Sequence, residues 1–498
     1  EGGIMFKSSF IVMTINMLSR ILGLVREMII GSLFGASGLT DAYFAAAKFS
    51  NLFTSLFGEG SLVIVVIQLY NEKSKKEGVD TVHDLIFSVM NLAIAFTSTV
   101  SILMIVFSRP IIRIFGGLKD PARLDIASNL LKIMAFYLMF IALSGIVASV
   151  LNNYKKFMIS ASTALVFNIT IITGTLLLNK PFGIYGVGIA FLLSGIFQFM
   201  MQLPQFIIIV KRYKFIFNFK DKYVKDIFLL MTPTLIGIFG FQINEFVSLN
   251  FAGLLGNGVI SAMNYASRLY LLPIGVFAIS LSVVIFPSMS RAIVNEKWGE
   301  LKTLITRGLN LLAFLIIPSI VILFGYAKEI VTLIYKHGQF TSESVLLTSQ
   351  ALQFYSLGLL FFSSIHLLTR SHYVYKDRKL PVISSFTSIF INLLLNFLLY
   401  KQYKHIGLTA STSIAALVNY IILLVSLKKR YIDINVIKYV KFVTTAILTS
   451  LAAFYTSALV NVSRAGVFEV IIKVMVFAIV YLLLWSYTYY KKRINMFN

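Results

Sequence analysis

The chain has 498 residues, of which 58% are hydrophobic and only 13% charged, with mean hydropathy +0.85 and a formal net charge of +24. So few charges cannot cover a soluble protein of this length, and the composition predicts a polytopic helical membrane protein. No cysteine is present, which excludes a disulfide framework, a thiol nucleophile and a cysteine-based metal site.

Glu1 to Gly3 precede Met5 and read as an expression scar, and no cleavable signal follows. Apolar stretches of about twenty residues, the length that crosses roughly 30 Å of hydrocarbon, then recur along the chain. They lie near 10–34, 41–70, 85–107, 127–152, 157–178, 184–210, 227–254, 260–288, 304–324, 346–369, 380–400, 405–427, 439–460 and 467–489, which predicts about 14 transmembrane helices. With the N-terminus inside, KSKK, NNYKK, KRYKFIFNFKDKYVKD, SRAIVNEKWGELK, RSHYVYKDRK, KKRYIDINVIKYVK and YYKKR all fall in cytoplasmic loops. Much of the +24 is therefore an orientation signal with an attraction to anionic lipid, not a nucleic-acid footprint.

The first span carries NMLSRILGLVRE at 16–27. An arginine near the middle of a membrane helix costs about 2.5–3.5 kcal/mol on insertion scales, so its retention calls for a function or a partner. At 100° per residue Asn16, Ser19, Arg20, Gly23, Arg26 and Glu27 share one face, and apolar residues fill the rest. The second span repeats the device, with Asp41, Lys48, Asn51, Ser55 and Glu59 on one stripe and Gly58 and Gly60 beside the glutamate. In the eighth span NYASR at 264–268 copies the spacing of NMLSR and sets Asn264 and Arg268 on one face ahead of Pro273.

Two readings of these groups stay open. The charges form buried structural pairs, with Glu27, Asp41 and Glu59 neutralising the cations. Alternatively, cations facing an interior cavity bind an anion; arginine's fork suits phosphate, and pyrophosphate fits best. The chain has no G-x-x-x-x-G-K-[ST] loop, so ATP is not the direct motor, and His83, His337, His366, His372 and His405 lack metal-ligand spacing. An enzyme is not expected, and no cofactor is called for.

An internal repeat is visible. NITIITGTLLLNKPFGIYGVGIAFLLSG (168–195) resembles NLLLNFLLYKQYKHIGLTASTSIAA (392–416), and RPIIRIFGG (109–117) resembles KEIVTLIYKHGQF (328–340). The offset of about six helices predicts two six-helix lobes in the same orientation, related by a pseudo-two-fold along the membrane normal, plus two trailing helices. The expected division is 5–215 for the N-terminal lobe, 216–430 for the C-terminal lobe and 431–498 for the last two helices.

SRILGLVRE, FGASGLTDAYFAAAKFSNLF, LFGEG and YASRLYLLPIGVFAISLSVVIFP together resemble the MurJ (MviN) lipid II flippases of the multidrug/oligosaccharidyl-lipid/polysaccharide exporter superfamily. The resemblance runs across nearly the whole chain. It implies a bacterial inner-membrane transporter that moves an undecaprenyl-pyrophosphate-linked peptidoglycan precursor to the outer leaflet by alternating access. It also implies substrate-binding roles for Ser19, Arg20, Arg26, Asp41, Glu59 and Arg268, and a lipid-tail groove on the last two helices. The chain departs from the family at Thr54 and Ser55, where relatives carry a basic residue before the G-E-G, and Lys48 is the expected substitute. Some relatives hold sodium through two aspartates. The matching positions here are Ser248, Asn392 and Asn396, with Leu408 and Thr412 nearby, and without a carboxylate any sodium binding is expected to be weak. The expected assembly is a monomer. The alternatives are a flippase for another polyprenyl-linked glycan, a cation or drug antiporter of the same superfamily, and a non-transporting scaffold for cell-wall enzymes.

Overall fold

The computed structural model describes residues 2–54, 61–210, 213–218, 221–460 and 466–492, and these are mostly helical, with no strand among them. In chain order the helices are α1 (Gly2–Phe34), α2 (Gly38–Phe53), α3 (Ser61–Glu77), α4 (Val79–Val106), α5 (Ser108–Phe115), α6 (Pro121–Met134), α7 (Tyr137–Asn153), α8 (Phe157–Phe182), α9 (Ile184–Val210) and α10 (Lys222–Leu254). They continue with α11 (Val259–Pro273), a π-helical turn (Ile274–Ile279), α12 (Ser280–Val294), α13 (Trp298–Gly325), α14 (Ala327–Tyr335), α15 (Ser342–Leu357), α16 (Leu359–Val374), α17 (Lys379–Arg430), α18 (Val436–Ala458) and α19 (Val467–Lys492). Each predicted apolar span finds a helix or a broken helix. The eighth is α11 and α12 joined through the π turn, and α17 holds two spans that meet at Lys404, where the backbone leaves helical geometry. Nine helices among the described residues are long and apolar enough to cross a membrane, and α15 with α16, bent by 43°, makes a tenth.

The chain forms two compact units, Glu1–Ser261 and Ala262–Asn498. In the first, Val65, Val66 and Leu69 of α3, Leu85, Ile86 and Phe87 of α4, Ile146 and Val150 of α7 and Val224 of α10 share one core. In the second, α13 places Leu301, Ile305, Leu309, Leu312 and Ile316 one turn apart along a buried stripe, against Leu367 of α16, Leu423 of α17 and Ala446 of α18. Outward faces remain apolar: Phe468, Ile471, Met475, Ile479 and Leu482 of α19 are all exposed, as lipid contact requires. Lipid tails are as apolar as leucine, so tight packing rather than water expulsion holds such helices together. Gly186 shows how close they come, since a Cβ there would lie 2.6 Å from the Leu178 carbonyl oxygen.

The repeat is written in the backbone. Gly35 and Gly256, Gly117 and Gly338, Lys155 and Lys376, and Gly183 and Lys404 all have positive φ, and each pair is 221 residues apart. Asp120 and Thr341, at the same offset, cap α6 and α15 by accepting from Arg123 N–H and Ser344 N–H. Gly407 stands to Leu399 as Gly186 stands to Leu178, its Cβ position 2.8 Å from that carbonyl oxygen. This register corrects the sequence alignment of the repeats: Asn392 is the counterpart of Ile171, not of Asn168. Two asparagines in similar apolar strings drew the alignment three residues out of register, nearly one helical turn.

Candidate functional site

In the first unit Arg26 of α1 is 8% exposed although it sits in an apolar helix. Its Nη1 donates to Asn168 Oδ1 of α8 at 3.1 Å and its Nη2 to Glu27 Oε1 at 2.6 Å. The guanidinium carbon lies 5.3 Å from the centre of the Phe167 ring, a cation–π distance. Asn168 spends its amide protons on the Ser19 carbonyl oxygen at 3.1 Å, the Ser19 hydroxyl at 3.2 Å and the Ala164 carbonyl oxygen at 3.0 Å. One carboxamide thus ties Ser19 and Arg26 of α1 to α8.

The polar face read from the helical wheel divides into two environments. Arg26 and Glu27 are buried, whereas Asn16 and Arg20 are exposed. The division follows from α8, which meets α1 at Phe167 and Asn168 and covers only part of the polar face. Nothing in the residue pattern pairs Asn168 with Arg26; the signal was a lone asparagine in an apolar helix.

Asp41, in the first turn of α2, is fully buried. Its Oδ2 accepts from Gly258 N–H at 2.6 Å, and its Oδ1 accepts from Ser261 N–H at 2.8 Å and the Ser261 hydroxyl at 2.6 Å. These donors belong to the start of α11, so the carboxylate caps that helix and meets its positive end. Arg123 Nη1 stands 3.6 Å from Oδ2. Asp41 is therefore committed to holding α2 against the start of α11, and both its oxygens are used.

Lys48 of α2 is half-buried and forms an ion pair with Glu245 of α10, a partner the sequence reading did not single out. Glu59, Ser55, Gly58 and Gly60 lie outside the described residues. In the second unit Arg268 is half-buried on α11, and the amide nitrogen of Asn264, one turn earlier, is buried without a hydrogen-bond partner among the described residues.

The five residues expected near sodium do not form a charged cluster. Asn392 and Asn396 are buried on α17, and the Leu408 carbonyl oxygen accepts from the Thr412 hydroxyl at 3.0 Å. Ser248 is on α10, in the other unit. Asn392 Oδ1 is buried without a partner among the described residues, so one neutral donor is in place, but the set offers amides and hydroxyls only. No group of three or more His, Asp or Glu side chains suited to a metal occurs among the described residues.

The family model for "Lipid II flippase MurJ" matches residues 30–477. The chain belongs to the MurJ family. Among curated MurJ relatives, a probable lipid II flippase of Buchnera aphidicola subsp. Schizaphis graminum is 33% identical over 424 residues, covering 84% of this chain and 82% of its own. A lipid II flippase of Thermosipho africanus is 32% identical over 423 residues, covering 84% and 85%. A solved MurJ in an inward closed conformation superposes with a TM-score of 0.85 at 31% identity, over 97% of this chain and 99% of that one. An inward-facing multidrug transporter of the MATE family and the MOP superfamily shares the fold, with a TM-score of 0.68 at 13% identity over 85% of this chain and 99% of that one. The chain is thus an integral membrane transporter of the MurJ family and not an enzyme.

Proposed function

We infer that this protein is a lipid II flippase, carrying the undecaprenyl-pyrophosphate-linked peptidoglycan precursor from the inner to the outer leaflet of the bacterial cell membrane. The observation that carries this reading is the MurJ family match over residues 30–477. The lobes 5–215 and 216–430 alternate access, 431–498 guides the lipid tail, both termini are cytoplasmic and the protein works as a monomer. Arg20, Arg26 and Lys48 of the first unit and Arg268 of the second are the cations assigned to the pyrophosphate, Ser19 and Glu59 are further substrate-binding residues, and Asp41 holds the start of α11. Arg20 is exposed and makes first contact. Arg26 engages by exchanging Glu27 for the phosphate, a trade its planar fork supports and a lysine's point charge does not.

The cytoplasm is electrically negative, so outward movement of a pyrophosphate gains about 2.3 kcal/mol per net charge per 100 mV. The emptied, cationic carrier is drawn back by the same field, and no coupling ion is needed. Sodium removal leaves flipping unchanged on this reading, because the expected ligands lack a carboxylate.

The test is complementation of a strain depleted of its lipid II flippase, with Arg20, Arg26 and Arg268 each changed to alanine. None should support growth at normal membrane levels. Full complementation by all three would instead fit a scaffold without transport. In vesicles, collapse of the potential with sodium and proton gradients maintained should stop flipping; an undiminished rate would remove the electrical drive from the mechanism.

A further inference from the structure

We propose that Arg307 and Asn310 form a site for the phosphate headgroup of a membrane lipid other than the transported one. A pocket of about 150 Å³ lies between α12, α13 and α18, walled by Ile285, Leu304, Leu311 and Phe442 and closed by Arg307 and Asn310. Arg307 Nε and Asn310 Oδ1 are both buried without a hydrogen-bond partner among the described residues. An apolar pocket lined by an unsatisfied donor on a cation and an unsatisfied acceptor is built for a ligand that has an anion, a hydroxyl and a hydrocarbon part.

The depth of the site selects the ligand. Arg307 is nine residues into α13 from Trp298, about 13 Å along the helix axis. Trp298 stacks on Tyr375 with ring centres 6.3 Å apart and planes within 9°, the kind of aromatic pair that marks a membrane interface. With Trp298 at headgroup level, Arg307 therefore lies within the hydrocarbon of that leaflet, from which a guanidinium reaches up toward lipid phosphates. Its fork matches phosphate oxygens, and Asn310 Oδ1 accepts from a headgroup hydroxyl. The chain of the lipid then lies along Leu311 and Phe442. The pocket is also held open. Gly308 packs so closely that a Cβ there would come within 2.7 Å of Leu367 and 3.2 Å of Ile285, so α13 is already at its limit of approach on that side.

A phosphate on a hydrocarbon chain comes from two sources, bulk phospholipid and a polyprenyl phosphate, and the experiment separates them. The purified full-length protein is titrated with phosphatidylglycerol, with a polyprenyl monophosphate and with diacylglycerol as the phosphate-free control, and occupancy is read by native mass spectrometry. Arg307→Gln should lower occupancy by the phosphate-bearing lipid about tenfold, Arg307→Lys should retain part of it, and diacylglycerol should bind poorly throughout. Leu311→Trp, which fills the pocket and leaves the arginine in place, should give a similar loss. A loss confined to phosphatidylglycerol identifies bulk phospholipid, and one confined to the monophosphate identifies a polyprenyl carrier. Unchanged occupancy of both lipids in Arg307→Gln and Leu311→Trp overturns the site. Binding is read without transport, so failure here leaves the flippase reading standing, and failure of flipping leaves this site standing.

Discussion

Gly183 and Lys404 hold the same turn in the two repeats, at φ 54°, ψ −134° and φ 50°, ψ −135°. One residue suits that geometry and the other resists it, because a Cβ disfavours this part of the map. The helices between such breaks differ far more than the breaks do. α1 and α10 are both 33 residues long and both end before a glycine of positive φ, yet α1 carries Arg20 and Arg26 where α10 offers Phe241 and Val247. Repetition has been kept in the turns that set helix length and direction, while the arginines at positions 20 and 26 have no counterpart in the second copy.

The sharpest way to break this contrast is at Arg26. Arg26→Ala removes the buried ion-pair partner of Glu27 and should cost about 3–5 kcal/mol, seen as a large fall in melting temperature of the purified protein. Arg20→Ala, exposed on the same helix, should change stability by less than about 0.5 kcal/mol while abolishing complementation. Equal stability losses in the two variants would mean that the two environments on α1 do not differ.

Next in size are the matched close approaches. Gly186→Ala and Gly407→Ala each drive a methyl group toward a carbonyl oxygen, at Leu178 and Leu399, and should each destabilise by about 1–3 kcal/mol. A loss in one copy alone would show that the repeats no longer share this contact. The turn itself gives a smaller effect of opposite sign: Lys404→Gly should stabilise by about 1 kcal/mol, and Gly183→Lys should destabilise by at least as much. Denaturation curves of the pair would show whether the strain is confined to the second copy.

The smallest effect separates the two basic turns at Lys155 and Lys376. Only the second is followed by an aspartate. Burial pushes the Asp377 carboxyl up, but hydrogen bonds from Leu380 N–H and the Tyr431 hydroxyl, with the nearby His372 and Arg430, hold it below the ordinary carboxylate range. A depressed folded-state pKa stabilises above the unfolded value of about 3.9 and loses that contribution as pH falls through the folded value. Asp377→Asn should therefore melt a few degrees below the wild type at pH 7, with the gap closing as the pH falls below the unfolded value of about 3.9. A gap independent of pH would assign the effect to packing.

The helix count was legible because lipid makes every span announce itself in roughly twenty apolar residues. The breaks at Gly35, Gly117 and Gly183 were legible as glycines, whereas Lys155, Lys376 and Lys404 gave no sign of their positive φ, since lysine seldom adopts it. The cations of α1 and α2 were legible from their cost in an apolar setting. Their partners were not: Asn168 lies 142 residues from Arg26, Glu245 lies 197 from Lys48, and Ser261 lies 220 from Asp41. Helical periodicity fixes which residues share a face but says nothing about which distant helix meets it. Arg307 escaped notice because it sits within a turn of a span's start, where a basic residue reads as an end marker.

The Asn168 carboxamide divides its labour by atom: nitrogen grips Ser19 and its own helix, and oxygen alone receives Arg26. A guanidinium that swings away to meet an anion breaks its bonds to Asn168 and Glu27 but leaves the clamp on α1 closed. The helix can give up its charge to cargo without loosening from its neighbour, and what loading costs falls on the Glu27 ion pair rather than on the packing of α1 against α8.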